Sequence, residues 1–104
     1  MSSVFHVIEE ELERLSEAKA AYEAAIAGEE QGAPQIKRVG RKDYLYLARR
    51  NGAKVQFRYI GHADGPKAEK VLSSVKKRRE YEELLKGVKN DLKEVRKALR
   101  GRKI

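Results

Sequence analysis

The sequence predicts an α+β fold in which two long antiparallel helices flank, along the chain, a two- or three-stranded antiparallel β-meander. Three observations predict it. Apolar residues recur at three- and four-residue steps near both ends, strand-like alternation replaces them in the middle, and an Asn-Gly pair separates two β-rich runs. With 104 residues, we expect a single domain over 1–104. It should contain a helix at 3–27, the meander at 36–60 and a helix at 66–100.

The first predicted helix combines a narrow apolar stripe with a strong negative charge. The stripe has the spacing of a coiled-coil seam and consists of Phe5, Ile8, Leu12, Leu15, Tyr22 and Ile26. Ser2 or Ser3 suits the start of this helix, and Gly28 suits its end. Residues 1–30 contain eight acids and two bases, although the whole chain carries a net charge of +8. The rest of the chain is therefore strongly basic.

The middle of the chain predicts a short strand at 36–39 and a hairpin closed by Asn51-Gly52, since both residues tolerate the positive φ of a type I′ turn. This turn would pair Ala48 with Val55 and Tyr46 with Phe57. One face would then carry Tyr44, Tyr46, Phe57 and Tyr59, and the other Leu45, Leu47, Ile60, Arg49, Lys54, Gln56 and Arg58. We expect the aromatic face to pack against one end of the helical pair, and the half-basic face to be exposed.

The second helix should begin at Pro66, after Asp64 or Gly65. Its apolar stripe includes Tyr81, Leu85, Val88, Leu92, Val95 and Leu99. Gly87 in mid-helix predicts a kink or a close contact. The two stripes together offer more apolar surface than one helix–helix contact would hide. We therefore expect a homodimer that completes a four-helix arrangement.

Several classes of protein are disfavoured. The chain has no Cys, its two histidines lack metal-ligand spacing, and it has no Gly-rich phosphate loop. It also has no apolar run long enough for a membrane span, and its acidic start does not suit a signal peptide. We expect a cytoplasmic, non-enzymatic protein without cofactor, metal or membrane partner.

The basic middle indicates nucleic-acid binding, because basic and aromatic residues are interleaved there. The candidate binding residues are Lys37, Arg38, Arg41, Lys42, Arg49, Lys54, Gln56 and Arg58, and the candidate secondary phosphate contacts are Arg96, Lys97, Arg100, Arg102 and Lys103. A β-ribbon could read base edges in the major groove, or aromatic rings could stack on unpaired bases. The expected packing of the aromatic face favours the first mode, with DNA preferred over RNA as partner.

The stretch from Ile36 to Gly61 resembles a small β-meander of uncharacterised prokaryotic proteins. In that pattern a basic strand, an aromatic strand and a Gly-containing turn precede Lys54-Val55 and a closing Tyr59-Ile60-Gly61. Similar hairpins precede the catalytic domains of some transposases. The resemblance covers about a quarter of the chain and implies a mobile-element or nucleic-acid context.

A second hypothesis comes from a different class. The helices would form a protein-interaction or oligomerisation module, inhibitor-like or antitoxin-like, that can capture an acidic partner. The positive charge would then be incidental: it would pair with the acidic first helix or keep the edges of the hairpin from aggregating. Retention on heparin or DNA as salt is raised would separate the two hypotheses.

Overall fold

A computed structural model of the chain describes residues 4–101. Helix α1 spans Val4–Ala27, strands β1, β2 and β3 span Ala33–Val39, Lys42–Asn51 and Lys54–His62, and helix α2 spans Pro66–Arg100. The strands form one antiparallel sheet in the order β1-β2-β3. The predicted α+β class is confirmed, with the third strand present. The predicted caps Ser2 and Ser3 lie outside the described residues.

The described residues divide into two compact units. The helical unit contains residues 4–26 and 80–101, and the sheet unit contains residues 27–79. Helix α2 therefore contributes its first part to the sheet unit and its second part to the helical unit. Neither described helix is long and apolar enough to cross a membrane.

The helical unit is an antiparallel helix pair. The rings of Tyr22 and Tyr81 lie 6.2 Å apart, and Arg14 interacts electrostatically with Asp91, so the partner numbers run in opposite directions. Leu15 of α1 and Leu92 of α2 are its buried apolar residues. Gly87 lies within α2, and apart from its chain neighbours and the nearby backbone of its own helix, no described atom comes within 4 Å of a Cβ placed there, so the expected close contact is absent among the described residues.

A local ion pair supports α1. The Arg14 guanidinium donates two hydrogen bonds to the Glu11 carboxylate, which lie one turn apart on the helix. These bonds, more than the Coulomb attraction, hold the pKa of Glu11 below its ordinary value. The pair therefore supports the helix at neutral pH, and its contribution is lost as the pH falls through the lowered pKa.

The sheet unit has a core made from one sheet face and the start of α2. Leu45, Leu47 and Ile60, which we call the leucine face, pack with Ala68 and Val75, with Val71 at the margin. Helix α2 starts as predicted: the Gly65 N–H donates to the His62 carbonyl at 3.0 Å, and the Glu69 N–H donates to the Gly65 carbonyl at 3.1 Å. Pro66 takes the first helical position, where its missing N–H costs nothing.

The expectation that the aromatic face packs is wrong. Leu45 is completely buried, whereas Phe57 and Tyr59 are 50% and 54% exposed. The small side chains Ala68 and Val75 let the backbone of α2 approach a face of branched aliphatic residues closely, which explains why the leucine face was chosen for burial.

The predicted strand register is also wrong, although each face keeps its residues. Asn51 pairs with Lys54, so the two-residue turn is Gly52-Ala53. Among the described residues only glycines have positive φ, and Gly52 has 66°; this fits a type II′ turn, with Gly first, and not a type I′ turn. Ala48 consequently pairs with Phe57, and Tyr46 with Tyr59. Each β2 residue from Tyr46 to Arg50 meets a partner two positions further along β3 than predicted, which leaves the alternation of faces unchanged.

A bulge alters the far end of the hairpin. Tyr46 pairs with Tyr59 but Leu45 pairs with Gly61, so Ile60 is the extra residue. Ile60 turns into the core, and His62 is brought opposite Tyr44. The bulge therefore places His62 beside the aromatic rings.

Candidate nucleic-acid interface

Five rings form an exposed surface on the side of the sheet opposite the core. This aromatic face consists of Tyr44, Tyr46, Phe57, Tyr59 and His62. The Tyr46 and Tyr59 rings meet edge to face at 5.4 Å, and the Tyr44 ring lies 6.1 Å from Tyr59 and 5.0 Å from His62. Contacts of this kind fix the ring positions while leaving Phe57 and Tyr59 half exposed. A cluster of exposed apolar side chains on one sheet face is typical of a binding site.

Positive charge accompanies the rings. The Nζ atom of Lys37, on β1, lies 4.0 Å from the centre of the Phe57 ring and 4.8 Å from that of Tyr46. Strand alternation places Lys42 and Arg50 of β2 on the same face as Tyr44 and Tyr46. Of these bases, Lys37 and Lys42 are among the predicted binding residues.

A basic corner adjoins the face at His62. An open depression of about 440 Å³ there is lined by Arg41, Lys42, Asp43, His62, Ala63 and Asp64. Arg41 lies in the turn between β1 and β2, and Lys42 begins β2. The corner therefore adds cations to the end of the ring surface, although two carboxylates share it.

Three more of the predicted binding residues lie toward the leucine-face side. Arg49, Gln56 and Arg58 border an open groove of about 840 Å³, which is also lined by Glu29, Glu30, Gln31, Leu47 and Phe57. The Arg58 guanidinium donates to the Glu30 carboxylate at 2.6 Å. This groove brings three predicted residues together, but its acidic wall opposes a phosphate backbone.

The remaining candidates are dispersed. Arg38 lies 3.9 Å from the Asp43 carboxylate, and Lys54 is exposed at the start of β3. Arg96, Lys97 and Arg100 are exposed on α2 in the helical unit, while Arg102 and Lys103 lie outside the described residues. The eight predicted hairpin residues therefore do not form one surface.

A buried arginine fastens the linker before β1. Arg78 is only 8% exposed, and its Nη1 donates to the carbonyls of Glu30 at 2.6 Å and Gly32 at 3.1 Å. The Glu30 N–H donates to the Ser74 hydroxyl at 2.8 Å, and that hydroxyl donates to the Glu29 carboxylate at 2.5 Å. These bonds attach the linker to α2 and thereby hold Glu30 beside Arg58.

Sequence reasoning missed the role of Arg78, which lies in the basic run Lys76-Lys77-Arg78-Arg79. A signal was present, because Val71, Val75 and Arg78 follow helical steps of four and three and share one stripe. It also missed the exposure of Phe57 and Tyr59, for which the sequence carries no local signal.

The chain was compared with known families, curated proteins and solved structures. No curated protein and no solved structure matches it. A family model described as a domain of unknown function, DUF6788, matches residues 7–70, which include most of α1, the whole sheet and the start of α2. Since this match spans more than half of the chain, the protein belongs to the DUF6788 family.

Proposed function

We propose that the protein is a non-catalytic nucleic-acid-binding protein that holds single strands on its aromatic face. The observation that carries the proposal is the exposure of Phe57 and Tyr59 on a face that also bears Lys37, Lys42 and Arg50. Exposed rings on a sheet stack on unpaired bases, and nearby cations bind the phosphates. The proposal uses the second of the two modes that the sequence left open.

Duplex DNA should bind less well than a single strand. Stacking on a protein ring needs a base that is free of its partner, and pairing hides that surface. The major-groove alternative relies on Arg49, Lys54, Gln56 and Arg58. Three of these residues line a surface groove that Glu29 and Glu30 also border. We therefore favour single strands, of DNA or RNA, in a cytoplasmic, mobile-element context.

A titration of fluorescently labelled oligonucleotides tests the proposal. Suitable probes are an oligothymidylate, an oligouridylate and a DNA duplex, each about 12 nucleotides long. This length falls within the ~4–16 nucleotides that a single-strand-binding fold covers. We expect both single strands to bind more tightly than the duplex, with the difference between them showing any preference for DNA or RNA.

Two variants identify the face. Phe57→Ala combined with Tyr59→Ala should weaken single-strand binding by about 1–3 kcal/mol per lost stack. Ile36→Ala is the matched control, since Ile36 is an exposed apolar residue of the same sheet on the other face. If the double variant binds normally while Arg49, Gln56 and Arg58 changed together to Ala abolish binding, the groove is the site and the proposal is wrong.

A second candidate, homodimerisation through the helical unit, has its own observation. Its described buried apolar residues are Leu15 and Leu92, whereas Val4, Phe5, Val7 and Leu84 are exposed. A second copy is a suitable partner, because the exposed apolar residues of one helical unit could pack against those of the other. Sedimentation at micromolar concentration should show a dimer, which Val88→Asp disrupts and the exposed control Asn90→Asp does not. A wild-type monomer of 11.9 kDa would exclude this candidate.

A further inference from the structure

One lysine covers part of the ring surface on which bases would stack. Lys37 extends from β1 across β2, and its Nζ atom lies 4.0 Å from the Phe57 ring centre and 4.8 Å from the Tyr46 ring centre. Both distances are within the ~6 Å range of cation–π attraction. Two rings from two strands therefore converge on a single ammonium group.

A stacked base and this ammonium group cannot occupy the same face of the Phe57 ring. A cation–π contact at an exposed site contributes about two- to fivefold to an equilibrium constant, whereas base–ring stacking contributes about five- to 150-fold. The base should therefore displace the ammonium. The flexible four-carbon stem lets the released ammonium move without disturbing the strand that carries it.

We infer that Lys37, Tyr46 and Phe57 form a one-nucleotide subsite in which an incoming base replaces the Lys37 ammonium over Phe57 and the ammonium then binds a phosphate of the same strand. The inference rests on the proposed function and specifies which residue exchanges partners during binding. Before binding, Lys37 shields an exposed phenylalanine; after binding, it neutralises the backbone of the strand.

Nuclear magnetic resonance can follow the exchange directly. In the free protein, the ring currents of Phe57 and Tyr46 should shift the Lys37 Hε resonances away from those of an ordinary lysine. Titration with oligothymidylate of about 12 nucleotides should return them toward the ordinary position as the base takes the ring face. Lys37 resonances that keep their full shift at saturation would overturn the inference.

The variant Lys37→Met tests whether Lys37 contacts a phosphate in the complex or only covers the Phe57 ring in the free protein. The methionine keeps an unbranched stem but lacks the charge, so we expect up to about fivefold weaker binding and a logarithmic salt slope smaller by about 0.7, the value for one single-strand contact. The exposed Lys86 of the helical unit, changed to Met, gives the same change in net charge and should alter neither quantity. Tighter binding by Lys37→Met would overturn the inference, because Lys37 would then only compete with the base.

The inference and the proposed function fail in different ways. If the wild-type protein binds no single strand, both are wrong. If single strands bind and Phe57→Ala weakens that binding, but Lys37→Met changes neither the affinity nor the salt slope, the proposed function holds and the exchange at Lys37 does not occur.

Discussion

The leucine face and the aromatic face belong to the same two strands, β2 and β3, yet one is buried and the other is half exposed. Leu45 and Leu47 lie under α2, whereas Phe57 and Tyr59 face outward. The larger apolar side chains are thus on the exposed face. The difference shows that burial follows the fit to the covering helix, here through Ala68 and Val75, and not the size of the apolar residue.

The largest effect is expected from a substitution that creates a cavity in the leucine face. Leu45→Ala should lower the free energy of unfolding by about 2–5 kcal/mol, because the completely buried side chain leaves a void that the sheet cannot fill. Urea unfolding followed by circular dichroism measures the change. A loss below about 1 kcal/mol would mean that the leucine face is not the core.

The next effect concerns the linker on the leucine side. Arg78→Met keeps much of the stem but removes the donors to the Glu30 and Gly32 carbonyls, so we expect a loss of about 1.5–3 kcal/mol in unfolding free energy. Arg79→Met changes an exposed neighbour in the same way and should cost less than about 0.5 kcal/mol. Equal losses in the two variants would show that the linker bonds add nothing.

A smaller effect is expected on the aromatic face. Tyr59→Ala removes ring contacts with Tyr46 and Tyr44, and these contacts contribute about 0.5–1.5 kcal/mol to folding. The same unfolding assay should therefore find this variant more stable than Leu45→Ala. The reverse order would contradict the assignment of the two faces.

The smallest effect belongs to the ion pair at the groove. Arg58→Ala should change the unfolding free energy by about 0.2–1 kcal/mol, since both partners are substantially exposed and salt screens their attraction. Repeating the measurement at high salt should shrink the difference between variant and wild type. A difference that persists at high salt would indicate lost packing of the Arg58 stem and not lost charge.

Much of the fold could be predicted from residues that act locally. Gly65 and Pro66 mark the start of α2, and helical periodicity outlines both helices. The strand alternation also placed Tyr44, Tyr46, Phe57 and Tyr59 on one face correctly, since a turn displaced by one residue shifts the pairings between the turn and the bulge by two.

The rest depended on contacts between distant residues. The contacts of Ala68 and Val75 with Leu45 and Leu47 determine which sheet face α2 covers. No local sequence pattern predicts these contacts. The bulge at Ile60, which brings His62 beside Tyr44, likewise follows from closing the core. Because the candidate site lies on whichever face remains open, the residues of the site were predicted only in part.

The tyrosines, whose fluorescence can be followed without a label, lie in two separate groups. Tyr44, Tyr46 and Tyr59 lie on the aromatic face, whereas Tyr22 and Tyr81 face each other in the helical unit. The chain has five tyrosines and no tryptophan, so no indole emission masks their fluorescence. A base stacked on the sheet, as we propose, would quench the first group and leave the emission of the second pair as a constant background. The unlabelled wild-type chain would then signal occupancy of its own surface.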